Sequence, residues 1–339
     1  MKLIKTEEAV GHVLCHDLTQ IIKDQYKDAR FRKGHVVTEE DIPVLLSMGK
    51  EHLYVWEMTP GMLHEDEGAE RLLALCMSGN MERSGVKEGK IELKAACDGL
   101  FLVRSEALRA VNAIDELMIA TRKGGTAVKK GDKLAGMRVI PLIIKEETLQ
   151  AAEQAAGAGP LLELLPYVKK TAAIVATGSE VKKGLIQDTF TPVVKEKLEA
   201  YGIETISIAY SSDGVENVAN AIGEARKTGA DLILCTGGMS VDPDDNTPGG
   251  IQASGARIVT YGAPVLPGAM FLLGYFSDGT PICGLPGCVM YAGATIFDLT
   301  LPRIAAGVEL TCRDFAVMGE GGLCLGCKPC HWPDCPFGK

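Results

Sequence analysis

Cys235–Pro248, read CTGGMSVDPDDNTP, closes an apolar run, Asp231–Thr236 (DLILCT), that carries almost no polar alternation. Such a run reads as a strand buried on both faces. It stops at Gly237–Gly238, and two glycines after a strand let the backbone take positive φ and approach a ligand closely. Three acids follow, Asp242, Asp244 and Asp245. Thr247–Pro248 then predicts a helix start, with Thr247 as N-cap and Pro248 at the first helical position. Strand, glycine pair, hydroxyls, carboxylates and a helix start together suit a phosphate-bearing ligand with a metal ion. The plainer reading is a strand-to-helix loop whose acids only cap turns.

Working outward, the flanking sequence repeats the same grammar. Thr171–Thr177 (TAAIVAT) is a buried strand, Asp188–Tyr201 a helix ending at Gly202, Ile203–Ala209 a strand and Val215–Lys227 a helix ending at Gly229. This β-α-β-α-β order predicts parallel strands joined by right-handed crossovers, with helices on both faces. The expected class is α/β, a three-layer, doubly wound, mostly parallel sheet preceded by a mixed α+β region. Ligands of such sheets bind at the carboxyl ends of the strands. The first strand is followed there by Gly178, Ser179 and Glu180, then Lys182–Gly184, with Asp188 just before the helix. The second is followed by Ser211, Ser212, Asp213 and Gly214. A later strand, Thr280–Gly284, leads through Leu285, Pro286 and Gly287 into an expected helix, Cys288–Leu301. Four polar, glycine-bearing loops at one edge of one sheet predict a ligand site.

Upstream, short β-like runs surround a predicted helix, Thr38–Met48, and a strand, His52–Trp56 (HLYVW). Arg30–His35 (RFRKGH) is a local basic cluster, read as a solvated turn or as a greeting for an anionic ligand. Helices are expected over Glu65–Met77, Ser105–Ala113 and Glu146–Ala156, with strands in Lys90–Val103 and Leu117–Ile144. Gly157–Pro160 is a candidate hinge. The expected organisation is a region 1–160, divisible into 1–58 and 59–160, an α/β domain 161–310, and a cysteine-rich tail 311–339.

Composition narrows the function. The 339 residues carry a formal charge of −9, which disfavours a nucleic-acid partner held by phosphate contacts. No stretch has the length and apolarity of a membrane span, and the N-terminus lacks a signal-peptide pattern. Eleven cysteines in such a chain favour thiols or metal ligands over a disulfide framework and point to the cytoplasm. Four lie in the tail, Cys324, Cys327, Cys330 and Cys335, spaced C-x2-C-x2-C-x4-C-P. That spacing is one residue from a bacterial ferredoxin run and also supplies four thiolates for tetrahedral zinc. An iron–sulfur cluster or Zn²⁺ is expected there, with the order of the tail dependent on the metal.

At this point the chain resembles the molybdopterin-binding domain family, gephyrin-related, which includes molybdopterin adenylyltransferases and molybdotransferases. The residues that carry the resemblance are TGSE at Thr177–Glu180, IQDT at Ile186–Thr189, TGGMSVDPDD at Thr236–Asp245 and GLPG at Gly284–Gly287. It covers about residues 170 to 307. It implies that Thr177, Gly178, Ser179, Glu180, Thr236, Gly237, Gly238, Met239, Ser240, Thr247, Pro248, Gly284, Leu285, Pro286 and Gly287 surround the pterin phosphate or an adenylate. Asp213 matches an acid of the adenylyltransferase branch. Asp188, Asp242 and Asp245 are implied to face the metal or reaction centre. The TGSE and GGMS stretches, with AVGHVLCHDL and FRKGHVV near the N-terminus, lean towards the molybdotransferases. Two departures stand out: Cys288–Val289 replaces the usual Asn-Pro, and a cysteine tail stands where the family carries a further β domain. The implied function is molybdenum cofactor biosynthesis, with molybdopterin or its adenylate, Mg²⁺ and molybdate as ligands and a homo-oligomer as the assembly. The alternatives are a non-catalytic carrier that delivers cofactor to a molybdoenzyme or maturation factor, and a nucleotide pyrophosphohydrolase on the same domain.

Overall fold

The computed structural model describes residues 2–22, 26–55, 60–243 and 245–339. Asp244 of the acidic loop and Trp56 of the His52–Trp56 strand lie outside the described residues. The chain forms two compact units. The first comprises residues 1–97, 102–124 and 130–164, and the second 98–101, 125–129 and 165–339.

In the first unit, the hairpin Leu18–Ile22 and Tyr26–Phe31, the helix Asp41–Ser47 and the antiparallel pair Lys2–Lys5 and His52–Val55 enclose one core. Leu14, Phe31, Leu45 and Leu53 fill it. The helix starts three residues later than its sequence suggests. Asp41 takes both the backbone N–H and the hydroxyl of Thr38, at 2.8 Å each, so Thr38 is held ahead of the first turn. Further on, the helix Glu65–Cys76 accompanies a four-stranded antiparallel sheet ordered Met81–Arg83, Lys90–Ala95, Lys133–Val139, Leu117–Thr121. Gly157–Pro160 lies inside this unit, where the Arg104 guanidinium donates to the carbonyls of Ala158 and Gly159 at 2.7 and 2.9 Å.

The second unit is built on one six-stranded sheet. Its elements in chain order are β1 (Thr171–Thr177), α1 (Ser179–Lys182), α2 (Phe190–Glu199), β2 (Glu204–Ser211), α3 (Val215–Lys227), β3 (Leu232–Thr236), α4 (Thr247–Ala253), β4 (Arg257–Tyr261), β5 (Leu272–Tyr275), β6 (Pro281–Leu285), α5 (Ile296–Ala305) and α6 (Cys312–Val317). The strand order is β2-β1-β3-β6-β5-β4. Strands β2, β1, β3 and β6 run parallel, while β5 is antiparallel to β6 and to β4. The two faces of the sheet bury separate cores. Ile174, Leu232 and Leu234 pack with Val194 and Leu198 of α2 and with Phe297 and Leu301 of α5. Val175, Ile233 and Cys235, on the opposite face, pack with Val218 and Ile222 of α3 and Ile251 of α4. Helices therefore cover both sides, as a parallel sheet of continuous apolar strands requires.

Two elements depart from the sequence reading. The stretch after β6 is not one helix over Cys288–Leu301. A short 3₁₀ turn, Gly287–Met290, is followed by a break, and α5 starts only at Ile296. Thr295 and Asp298 supply the reason: Thr295 accepts from Phe297 N–H while Asp298 takes the Thr295 N–H at 2.8 Å, a reciprocal cap that restarts the helix. The antiparallel strands β4 and β5 fall outside the sequence reading above and complete the sheet beyond β6.

Candidate functional site

The loops at the carboxyl ends of β1, β2, β3 and β6 are tied to one another. Thr177, at the end of β1, sets its hydroxyl 2.9 Å from the carbonyl of Thr236 and 2.9 Å from the hydroxyl of Thr247. Thr247 donates in turn to the carbonyl of Gly237 at 2.9 Å. Both threonines are buried. Their hydroxyls are spent inside the protein, joining the β1 loop, the β3 loop and the start of α4. Asn246 stands at the cap position and Thr247 is already helical, one residue off the sequence reading.

The glycine pair has a structural cause. Gly237 and Gly238 take φ of 83° and 57°, and a Cβ on Gly237 would lie 2.4 Å from the Thr177 carbonyl oxygen. A Cβ on Gly238 would come within 2.8 Å of the Thr247 hydroxyl. Close approach by neighbouring chain already demands both glycines. Met239 turns inward: its side chain is buried, and a Cβ on Gly284 would meet its sulfur at 2.5 Å. Gly284 thus makes room for Met239 between β3 and β6, where it pairs with Cys235 and Leu285 pairs with Thr236. Leu285 and Pro286 are buried as well, whereas Gly287 is exposed with open space where a Cβ would stand.

The carboxylates fall into two groups. Asp213 accepts from the Ser179 N–H at 3.1 Å, and the Ser179 hydroxyl reaches back to the Asp213 N–H at 3.4 Å. The Ser179 hydrogen bonds, with the charge of Lys183 behind them, hold the Asp213 carboxyl below the ordinary range. Asp245 accepts from the Ser240 N–H at 2.9 Å, and its own N–H donates to the carbonyl of Asp242. Asp242 itself is exposed, as is Glu180, and Pro248 is half-buried. Asp188 does something different. One of its oxygens accepts from the N–H groups of Phe190 and Thr191, at 3.0 and 2.9 Å, and so caps α2. Its other oxygen is buried and makes no hydrogen bond of good geometry among the described residues, while burial and the Asp188 charge together raise the Tyr210 phenol pKa. Asp188 lines a cavity of about 410 Å³ between α2 and β2, together with Thr191, Lys195 and Tyr210, and none of the other site acids lines it. The Thr189 hydroxyl, 3.1 Å from the Met290 sulfur, ties that loop to the turn after β6.

Two groups had no signal in the sequence. Tyr261 of β4 donates to the Met239 carbonyl at 3.1 Å, and burial together with the nearby Asp245 charge raises its phenol pKa. An apolar fringe stands beside the polar loops: Leu185 is 72% exposed, Val241 85% and Tyr291 78%. Each comes from a different loop, so only the folded arrangement makes them neighbours of the same sheet edge.

The tail does not gather its cysteines. Cys324 and Cys335 pack against the α5 face of the core, while Cys327 and Cys330 are exposed. Among the described residues, no group of three or more His, Cys, Asp or Glu side chains is arranged to hold a metal ion. The tail packs on the core. Phe337 is 3% exposed and meets Trp332 edge-on, with ring centroids 5.6 Å apart. Leu266 ties the tail to the core through a short bridge to Leu323: its N–H donates to the Gly322 carbonyl and its carbonyl accepts from the Cys324 N–H, each at 2.8 Å. No described helix is long and apolar enough to cross a membrane.

Comparison with known proteins places part of each unit in a family. Residues 3–57 match a family described as a domain of unknown function. Over 187 residues the chain is 29% identical to a molybdopterin molybdenumtransferase of Haemophilus influenzae, a match that covers 54% of this chain and 45% of that protein. It is 38% identical over 86 residues to a CinA-like protein of Desulfosudis oleivorans, covering 25% of this chain and 21% of the other. The chain thus spans less than half the length of these curated relatives. Among solved structures, the molybdopterin biosynthesis enzyme MoaB of Thermus thermophilus is similar at 22% identity and a TM-score of 0.34, over 39% of this chain and 90% of that one. Residues 173–306 match the family described as "Probable molybdopterin binding domain", and this stretch of the chain is a domain of that family.

Proposed function

We propose that the second unit binds molybdopterin or its adenylate and acts in molybdenum cofactor biosynthesis, inserting molybdate in the manner of a molybdotransferase. The observation that carries this reading is the set of loops at the ends of β1, β2, β3 and β6. The Thr177–Thr236–Thr247 and Ser179–Asp213 bonds lock three of them together, and the Thr189–Met290 contact reaches the fourth. A locked backbone costs little further ordering when a ligand binds. The exposed Ser240 side chain and Gly287 would take the phosphate end, and the apolar fringe of Leu185, Val241 and Tyr291 suits a planar ring. Asp188, Asp242 and Asp245 are the carboxylates assigned to the reacting end, and Asp213 is assigned to the ligand. Mg²⁺, when bound with the ligand, would neutralise phosphate oxygens. The exposed row Ile206, Ile208 and Tyr210 on the edge strand β2 supports a homo-oligomer, and eleven free thiols support a cytoplasmic setting.

A carrier role is favoured by one specific feature. Asp213 and Asp245 are both engaged by backbone N–H groups, as acids that only shape loops would be. Single turnover separates the two readings. Purified protein is mixed with adenylylated molybdopterin, Mg²⁺ and molybdate, and AMP release and the mass of the retained pterin are followed. A molybdotransferase releases AMP and retains a molybdenum-loaded pterin, and Asp245→Asn lowers the AMP rate at least about a hundredfold, the scale of a lost transition-state contact. Tight retention without AMP release makes the protein a carrier. Full activity in both Asp188→Asn and Asp245→Asn removes the catalytic assignment.

A further inference from the structure

The first unit holds a cavity of about 610 Å³ that the proposed function does not use. Its walls include Arg30, Arg32, His35, Asp41, Phe31 and Val44. The hairpin that forms one wall is irregular at a telling place. Leu18 opposes Phe31 and Thr19 opposes Ala29, so Arg30 is the extra residue of a β-bulge. A bulge bends its strand and re-aims the side chain it carries. Phe31, between the two arginines, is buried in the core and anchors the strand. Neither the Arg30 nor the Arg32 guanidinium has a hydrogen-bond or ion-pair partner among the described residues, although the chain carries an excess of acids. The neighbouring Lys33, by contrast, is engaged by Asp66 at 2.5 Å.

His35 completes the arrangement. Its N–H donates to the Arg32 carbonyl at 3.0 Å, which folds the chain back beside Arg32. Its ring lies 5.2 Å from the Phe31 ring, and its Nε2 is 2.7 Å from Asp41. The Asp41 carboxyl is in turn occupied by the Thr38 N–H and hydroxyl. Burial tends to raise its pKa, but the hydrogen bonds from His35 and Thr38 outweigh it and the net shift is downward. An ionised Asp41 therefore fixes the His35 ring and leaves Nδ1 without a partner among the described residues. The one acid in the cavity is fully engaged, and the two unengaged charges are both guanidinium forks.

We propose that this cavity binds a phosphate-bearing small molecule, with Arg30 and Arg32 taking the phosphate oxygens and His35 Nδ1 beside them. Guanidinium forks match phosphate bidentately. The volume exceeds what a bare phosphate fills and falls in the range of small-molecule pockets, and Phe31, Ala29 and Val44 give it apolar wall for an organic portion. The proposal concerns residues 29–44 alone and is independent of the pterin reading of the second unit.

Inorganic pyrophosphate is the probe. The full chain is labelled with ¹³C at histidine Cε1, and the His35 resonance is assigned by its loss in His35→Gln. Pyrophosphate is expected to shift that resonance saturably, at concentrations where chloride at matched ionic strength does not. Arg30→Gln with Arg32→Gln, both exposed, should raise the midpoint at least about tenfold without changing the melting temperature. Arg30→Lys with Arg32→Lys should raise it less, because a point charge keeps attraction but loses the fork. The proposal is overturned by no saturable shift up to about 10 mM pyrophosphate, far weaker than a specific site. An equal shift with chloride overturns it too, and so does an unchanged midpoint in the double glutamine variant, which would place the binding elsewhere.

Discussion

Replacing Phe337 by Ala separates a tail ordered by packing from one ordered by metal. Phe337 is almost wholly buried, packs edge-on against Trp332, and belongs to the same core as Phe297 and Leu301. The next residue, Gly338, runs so close to α5 that a Cβ there would stand 2.4 Å from a Leu299 methyl, and its N–H donates to Gly321 at 2.9 Å. Truncating a buried Phe to Ala costs about 3–5 kcal/mol in a closed core. The tail is a chain end, so it can release instead of leaving a cavity, and the loss is capped by the free energy of docking. A value near 3 kcal/mol follows, which at about 2–4 °C per kcal/mol for a unit of this size lowers the melting temperature by about 6–12 °C. Calorimetry of the full chain reads the shift, with and without a strong chelator. Hydrogen exchange over residues 321–339 reads the tail directly. The parent should be indifferent to the chelator and the variant should lose protection across the tail. A melting temperature within about 2 °C of the parent, together with a parent tail that loses protection on chelation, would refute the packing argument and restore the thiolates as the organising element.

Gly237→Ala forces a side chain into φ of 83° and against the Thr177 carbonyl. With about 1–2 kcal/mol for the backbone alone and the clash added, thermal unfolding should register a loss above about 3 kcal/mol. A variant that folds as stably as the parent but no longer binds pterin would mean that the glycine serves the ligand and not the fold. Asp278 gives a pH test: hydrogen bonds from Thr280, with Arg226 at 2.9 Å, lower its carboxyl to about 2. A depressed carboxyl contributes stability that is fully present above its unfolded pKa, near 4, and is lost as pH falls towards 2. The stability gap between parent and Asp278→Ala should therefore be constant above about pH 5 and close on acidification. A gap independent of pH down to 2 would show that the carboxylate charge contributes nothing.

Much of the second unit is legible in the chain because its signals are local. Thr171–Thr177 and Leu232–Thr236 are apolar without alternation, which only a strand covered on both faces tolerates. Val215–Lys227 carries a helical apolar stripe and stops at the glycine of Thr228–Gly229. From those runs and their glycine-bearing ends, the parallel order, the two helical layers and the edge that carries the site can all be read. Arg257–Tyr261 (RIVTY) has the β-branched and aromatic residues of a strand, but the place it takes in the sheet with Leu272–Tyr275 is not a local signal. The two strands are held by antiparallel pairing at the far side of the sheet, and that partnership depends on contacts distant in sequence.

What each site residue does was decided by the tertiary structure. Thr177 and Thr247 look like ligand hydroxyls in sequence, yet seventy residues apart they face each other and spend their hydrogen bonds internally. Asp188 looks in sequence only like a reaction-centre acid, and the tertiary structure adds a second task, since one of its oxygens takes two backbone N–H groups at the start of α2. The tail cysteines have metal-ligand spacing, and spacing constrains only how thiols could meet. Burial of Phe337, its edge-on contact with Trp332 and the bridge at Leu266 hold the backbone on the core with Cys327 and Cys330 facing outward. Residue type and spacing determine which groups are available. The long-range packing that satisfies buried polar atoms and apolar surface determines which of them remain free to meet a ligand.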